Sequence, residues 1–194
     1  DPYRGGTHIT DMVVVKPIFH GKELVAFAGN RAHWLDIGGM APSGFPGDAV
    51  EIFQEGLRVP PVKWFEAGKE RTDIFDFIMS NVRSPWIQKG DFRAQLASDI
   101  TCERRVQWLC EKYGVDVVKE AIRAIKDYSE RRMRAEIDAI PDGKYQYEDF
   151  VDDDGHSDEP YRIRATLTVK GDSLTVDYTG TSRQSKGPAN AVYG

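Results

Sequence analysis

Two histidine–aspartate pairs with identical spacing stand near the start of the chain. His8 pairs with Asp11 and His33 with Asp36, each in the pattern His-x-x-Asp. Gly5-Gly6 precedes the first and Gly38-Gly39 follows the second. Imidazole nitrogens and carboxylate oxygens together are the ligands of a mixed N/O divalent metal site, which needs neutral rings, ionised carboxylates and open positions for water or substrate. A metal held in that way acidifies bound water and polarises a carbonyl. A plainer reading is open as well: the four residues decorate loop ends, each aspartate accepting a hydrogen bond in its own turn.

For the two pairs to meet, the chain between them must fold back. Met12 to Phe19 is β-branched at Val13-Val14-Val15 and reads as a strand, and Leu24 to Ala28 reads as a second. His20-Gly21-Lys22-Glu23 reads as the turn joining them. An antiparallel hairpin brings its far ends side by side, and those ends carry the two patterns. His20 lies at the opposite end and drops out of the set.

The elements downstream follow from composition and period. Gly38 to Gly47, with four glycines and two prolines, reads as a loop of the kind that lines sites. Asp48 to Gln54 reads as a further strand. Glu55 to Val62 contains Pro60-Pro61 and reads as an extended segment, packed through Leu57, Val59, Val62, Trp64 and Phe65. Thr72 to Asn81 reads as a helix with Thr72 or Asp73 as N-cap, interrupted by Ser84-Pro85. Asp91 reads as the cap of a longer helix reaching Tyr113, with Gly114 as its C′ residue. On that helix Ala94, Ala97, Ile100, Arg104 and Trp108 fall roughly on one face. Asp116 to Ile140 reads as a third helix, with apolar stripes at Val118, Ile122, Ile125 and at Met133, Ile137, Ile140. From Lys144 the period becomes two, with Lys170-Gly171-Asp172-Ser173 as a hairpin turn. The expected fold is therefore α+β: antiparallel strands and hairpins flank a central block of three helices. Residues 1–70 form the strand-rich region of the metal site, 71–141 the helical region and 142–194 the β-hairpin region.

Composition narrows the functional classes. The chain has 194 residues, 40% hydrophobic and 29% charged, which suits a globular domain rather than a disordered one. The net charge of -5 gives no reason to expect a nucleic-acid partner. No apolar run approaches the roughly 18–20 residues that span a bilayer, so no membrane association is expected. No leader pattern of basic, apolar and small residues is visible. Cys102 and Cys110, on one helix, would stand about 12 Å apart, beyond the roughly 4.4–6.8 Å of a disulfide. Free thiols and a cytoplasmic location are expected. The opening on Asp1-Pro2 and the ending Asn190-Ala191-Val192-Tyr193-Gly194 read as those of an excerpt from a longer protein.

Other motifs carry less. Asp152-Asp153-Asp154, with Asp158 and Glu159, lacks the spacing of an EF-hand and reads as a solvated acidic turn. The glycine-rich stretch has neither phosphate-loop nor dinucleotide spacing, and no nucleophile-elbow motif is present. Arg131-Arg132-Met133-Arg134 reads as a wet helix face or a contact with another chain.

The segment Asp-Pro-Tyr-Arg-Gly-Gly-Thr-His-Ile-Thr-Asp at 1–11 resembles the opening motif of the hydantoinase B family. The likeness continues through Arg31-Ala32-His33-Trp34-Leu35-Asp36-Ile37-Gly38-Gly39, Glu55-Gly56-Leu57-Arg58-Val59-Pro60-Pro61 and Asn81-Val82-Arg83-Ser84-Pro85. It extends through Gly90-Asp91-Phe92-Arg93-Ala94-Gln95, Asp177-Tyr178-Thr179-Gly180-Thr181-Ser182 and Gly187-Pro188-Ala189-Asn190. The family includes the B subunit of N-methylhydantoinase, the matching half of 5-oxoprolinase and the alpha subunit of acetone carboxylase. The resemblance implies ATP-dependent work on a small cyclic amide, with ketone carboxylation as the alternative and a non-catalytic scaffold as a third reading. It also implies a hetero-oligomer with a hydantoinase A-like partner, on which ATP and magnesium are expected. Carried over by matching residues, it implies a divalent metal (manganese, zinc or iron) on His8, Asp11 and His33. Asp36 would be a fourth ligand or a partner orienting His33. Glu55 or Asp91 would serve as base or orienting group.

Overall fold

The computed structural model describes residues 1–192; Tyr193 and Gly194, the end of the tail noted above, lie outside the described residues. The fold is α+β, with antiparallel sheets of two and three strands alongside helices. The chain divides into two compact units. One comprises Asp1–Trp108 with the segment from Gly187, and the other Leu109–Lys186. The strand-rich region and most of the helix that ends at Tyr113 therefore belong to a single unit.

The first unit is built on a hairpin of β1 (Asp11–His20) and β2 (Glu23–His33). Its register pairs Asp11 with His33 at one end and His20 with Glu23 at the other. Gly21, at φ +61, takes the first of the two turn positions, a conformation that glycine adopts without steric cost. The second strand is longer than its apolar core suggests, because pairing continues through Gly29 to Ala32. The stretch expected as a strand at 48–54 instead ends in a single helical turn, α1 (Ile52–Glu55). Glu51 accepts from the Gln54 backbone while the Gln54 side chain accepts from the Val50 and Glu51 N–H groups, a local capping box that competes with strand pairing. A short hairpin of β3 (Phe65–Glu66) and β4 (Lys69–Glu70) turns through Ala67 and Gly68, both at positive φ.

Two helices complete this unit. Helix α2 (Thr72–Met79) has Arg71 as its N-cap residue with no side-chain cap; Asp73, an expected cap, instead binds the Arg71 guanidinium. Helix α3 (Pro85–Tyr113) starts at proline, whose missing N–H costs nothing in a first turn. Asp91 therefore lies inside the helix and caps nothing. The packed face of α3 also differs from the expected one: Ala94, Ala97, Arg104 and Trp108 are exposed, while Gln88, Phe92, Gln95 and Asp99 are buried.

That buried face is largely polar because it bonds to the hairpin. Gln95 accepts from the Trp34 indole N–H at 2.9 Å and donates to the Met12 carbonyl at 2.8 Å and to Asn30 at 2.9 Å. Asn30 donates in turn to Asp99 at 2.8 Å and to the Gln95 carbonyl at 2.9 Å. Burial pushes the Asp99 carboxyl up, opposed by the Asn30 bond and the Lys16 charge. Around this ladder lies an apolar core of Ile9, Trp34, Ile37, Phe75, Ile78, Met79, Val82 and Phe92. Trp64 stacks on Phe92 with ring centroids 3.9 Å apart, and Leu57 and Val59 pack nearby, as the extended segment requires; Val62 is exposed.

In the second unit, α4 (Val115–Asp138) begins beyond Gly114, at φ +88. A meander of β5 (Gly143–Val151), β6 (Tyr161–Lys170) and β7 (Ser173–Asp177) follows. The strands expected after Lys144 form, and Gly171-Asp172 makes the turn between β6 and β7, but burial does not alternate along them: β5 is exposed at every position. Of the two α4 stripes only Val118 is buried, while Ile125 and Met133 are exposed. The acidic loop is not wholly solvated: Asp154 is buried and accepts from the His156 and Ser157 N–H groups and from the Tyr161 hydroxyl. Neither cysteine forms a disulfide among the described residues. No helix of the described residues is long and apolar enough to cross a membrane.

The Gln95 ladder yields a stability prediction. Gln95→Ala leaves the buried Trp34 N–H without its acceptor, and an unsatisfied buried donor costs about 1–3 kcal/mol. A loss of about 2 kcal/mol is expected, read as a lower urea midpoint with an unchanged slope.

Candidate active site at the open end of the hairpin

The β1–β2 register carries Asp11 to His33, and a turn just before β1 folds His8 onto the same end. The His8 Nε2 stands 3.1 Å from the Asp11 carboxylate, and the two imidazole rings are 5.1 Å apart between centroids. Between the rings lies Thr10, fully buried, with its hydroxyl 2.7 Å from His8 Nδ1 and 2.9 Å from His33 Nε2. A hydroxyl has one proton, so Thr10 donates to one imidazole and accepts from the other. A carboxylate only accepts. The neutral arrangement satisfying every group runs from His33 Nε2–H to Thr10, from Thr10 to His8 Nδ1, and from His8 Nε2–H to Asp11. Thr7 donates to the same Asp11 oxygen, and Arg31 lies 3.6 Å from it.

Two imidazoles and a carboxylate thus share one cluster, and by donor type they suit a divalent ion. As arranged, these groups are engaged with one another. Only His8 Nε2 and Asp11 face each other directly, while His33 Nε2 is bonded to Thr10. Among the described residues no three His, Cys, Asp or Glu side chains are placed to hold a metal ion.

Asp36, expected as a ligand or as the partner of His33, does other work. Its buried carboxylate accepts from the N–H groups of Gly38 (2.9 Å), Arg83 (2.9 Å) and Ser43 (3.1 Å), and from the Arg83 guanidinium (2.9 Å). These bonds leave it spoken for by the loop and by the start of α3, and the partner of His33 is Thr10. Arg83 also donates to the carbonyls of Gly38, Gly39 and Ala41, fastening the glycine-rich loop. Burial alone would raise the Asp36 pKa, but the N–H donors and the guanidinium outweigh it and hold the carboxyl below its ordinary range.

The fastened loop ends on Phe45, whose ring stacks on His33 (5.4 Å, 13°) and tilts against His8 (5.3 Å). Gly44, at φ +70, makes this approach possible: a Cβ there would stand 2.8 Å from the Thr10 methyl. Glu55, closing α1, lies near enough to feel the charge of the His8 imidazole whenever that ring carries a proton on both nitrogens. Burial raises its pKa, and that charge opposes the rise. Asp91 is not brought to the cluster, and its carboxylate has no bonding partner among the described residues. Sequence reasoning missed Thr10, Phe45 and Arg83. Thr10 stood inside the first His-x-x-Asp pattern, and Arg83 inside a segment noted only for resemblance.

A family model described as Hydantoinase B/oxoprolinase matches residues 1–194. The chain belongs to the hydantoinase B/oxoprolinase family. It is 39% identical over 176 residues to the beta chain of the caprolactamase of Pseudomonas jessenii, covering 91% of this chain and 30% of that one. It is also 39% identical over 189 residues to the B-type chain of a putative D-/L-hydantoinase of Pseudomonas sp. (strain NS671), covering 94% and 32%. The crystal structure of the ATP-dependent caprolactamase from P. jessenii superposes with a TM-score of 0.85 at 38% identity, over 91% of this chain and 30% of that one. The chain spans about a third of the length of these two relatives.

The Asp36 clamp makes stability depend on pH in a defined direction. A depressed carboxyl contributes stability above the ordinary value of 3.8 and loses it as pH falls through the lower folded value. Asp36→Asn should cost about 2 kcal/mol at pH 7, the scale of lost charge-assisted hydrogen bonds. The gap to wild type should narrow below pH 4 in urea titrations run across pH.

Proposed function

We propose that the chain is part of the hydantoinase B-type subunit of an ATP-dependent cyclic-amide hydrolase, working with a hydantoinase A-like partner that holds ATP and magnesium. The supporting observation is the His8–Asp11–His33 cluster at the hairpin mouth, in a family whose matched members include chains named for caprolactamase and hydantoinase. In this reading the partner transfers the terminal phosphoryl group of ATP to the amide oxygen, releasing ADP and making the ring carbon electrophilic. On the present chain water adds to that carbon, and the ring C–N bond breaks with the nitrogen leaving as the protonated amine. A second water releases phosphate from the resulting acyl phosphate to give the open-chain amino acid.

The residues on this chain have separable tasks. Glu55, partly buried beside His8, accepts the proton of the attacking water, a role served by a carboxylate whose pKa stands above the ordinary range. Thr10 holds both imidazoles in fixed orientations, and Asp11 anchors His8. A divalent metal would draw on His8, Asp11 and His33, and when bound would polarise a carbonyl oxygen or acidify water. Asp36 acts through the loop, and no bond joins Asp91 to the cluster among the described residues.

A substrate screen on the full-length protein with its ATP-binding partner tests the reading. ε-Caprolactam, hydantoin and 5-oxoproline are assayed against acetone and acetophenone with bicarbonate. ATP-dependent ring opening is expected; ketone carboxylation instead would replace the hydrolase with a carboxylase. Elemental analysis is expected to find a divalent metal that His8→Ala and His33→Ala each lose. Metal content and activity unchanged in both variants would leave a scaffold. Glu55→Gln should lower kcat by about 100-fold or more, the usual worth of a general base, with a small change in KM.

A further inference from the structure

Phe45 is the one aromatic side chain carried by the glycine-rich loop, and the loop is built at some cost to place it. Ser43, two residues before it, holds φ +72, a left-handed conformation that a non-glycine residue adopts only under constraint. The Ser43 N–H is bonded to Asp36, Arg83 grips three loop carbonyls, and Gly44 presses on Thr10. A path held in place by so many partners fixes Phe45, which follows Gly44 and lies against both imidazoles. Yet Phe45 contributes nothing to the apolar core, for 57% of it is exposed. His33 lies against one ring face and His8 meets the ring at a tilt, while more than half of the side chain stays exposed.

From this geometry we infer that Phe45 is a specificity-determining residue, an apolar wall for the ring methylenes of a small cyclic amide. This rests on the hydrolase reading above and deepens it. Small-molecule sites are mostly apolar, with a few polar groups that fix orientation. Here the polar groups are His8, Asp11, His33 and Glu55, and the rigid apolar surface beside them is Phe45. A planar ring with few rotatable bonds loses little freedom on contact, which suits it to read ring size.

The test uses the full-length protein with its partner and the lactams 2-pyrrolidinone, 2-piperidinone and ε-caprolactam. For Phe45→Ala, the loss of kcat/KM relative to wild type should grow by up to about fourfold with each added methylene, the transfer value of one buried CH₂. The loss should fall on KM, with kcat kept within a few-fold, and Phe45→Leu should recover most of it. A loss of equal size for all three lactams would make Phe45 a shield of the imidazoles and overturn the inference, as would no loss at all. Should wild type open no lactam, the hydrolase reading fails. Saturation-transfer NMR with ε-caprolactam then judges Phe45 separately. Binding by wild type that Phe45→Ala abolishes sustains the wall, and no binding by wild type overturns it.

Discussion

One buried carboxylate joins the parts of the first unit that matter most for chemistry. Asp36 follows the second strand of the hairpin, and its acceptors are filled by the loop that comes next and by the entry to α3. A charge so buried would be costly if left alone. Backbone N–H groups from three places and one guanidinium make it an anchor instead. Because Arg83 also binds loop carbonyls, the same anchor sets the path by which Phe45 reaches the two histidines. The ionic bond thus acts on the site at one remove, through loop shape, and touches no site residue directly.

The hairpin was legible because its signals are local and agree: a β-branched run, an apolar partner strand and a glycine turn between them. From that hairpin, together with the repeated His-x-x-Asp pattern, came the meeting of His8, Asp11 and His33. Helix α3 was legible in extent but not in orientation. Its buried face is written in Gln88, Gln95 and Asp99, whose burial depends on partners such as Asn30 and Trp34 far away in sequence. A hydrophobic period cannot show such a face. The strand expected at 48–54 failed for a related reason, since the Glu51–Gln54 capping box supplies a local alternative that alternation of apolar residues does not reveal.

Within the site, sequence spacing found the groups that carry charge or lone pairs and missed those that hold them. Asp36 repeats the pattern of Asp11 and has the opposite use. Asp11 lies opposite His33 in the ladder, whereas Asp36 lies past the end of pairing, where the chain turns away. Thr10 has no chemistry of its own to advertise. Its importance comes from standing fully buried between two rings, a position fixed by the Trp34 N–H on its carbonyl and by Gly44 against its methyl.

The two-residue bend at Gly21-Lys22 lies about ten residues along each strand from the histidines, on the order of 30 Å away. Its length, together with the one-residue register shift between Ile18 and Phe19, nevertheless sets which side chains confront each other at the far end, since strands keep count by twos. An insertion or deletion in that bend would be invisible to any search confined to the neighbourhood of the site. It would still slide Asp11 off His33 and turn inward side chains outward. The bend behaves as a remote ruler for the chemistry.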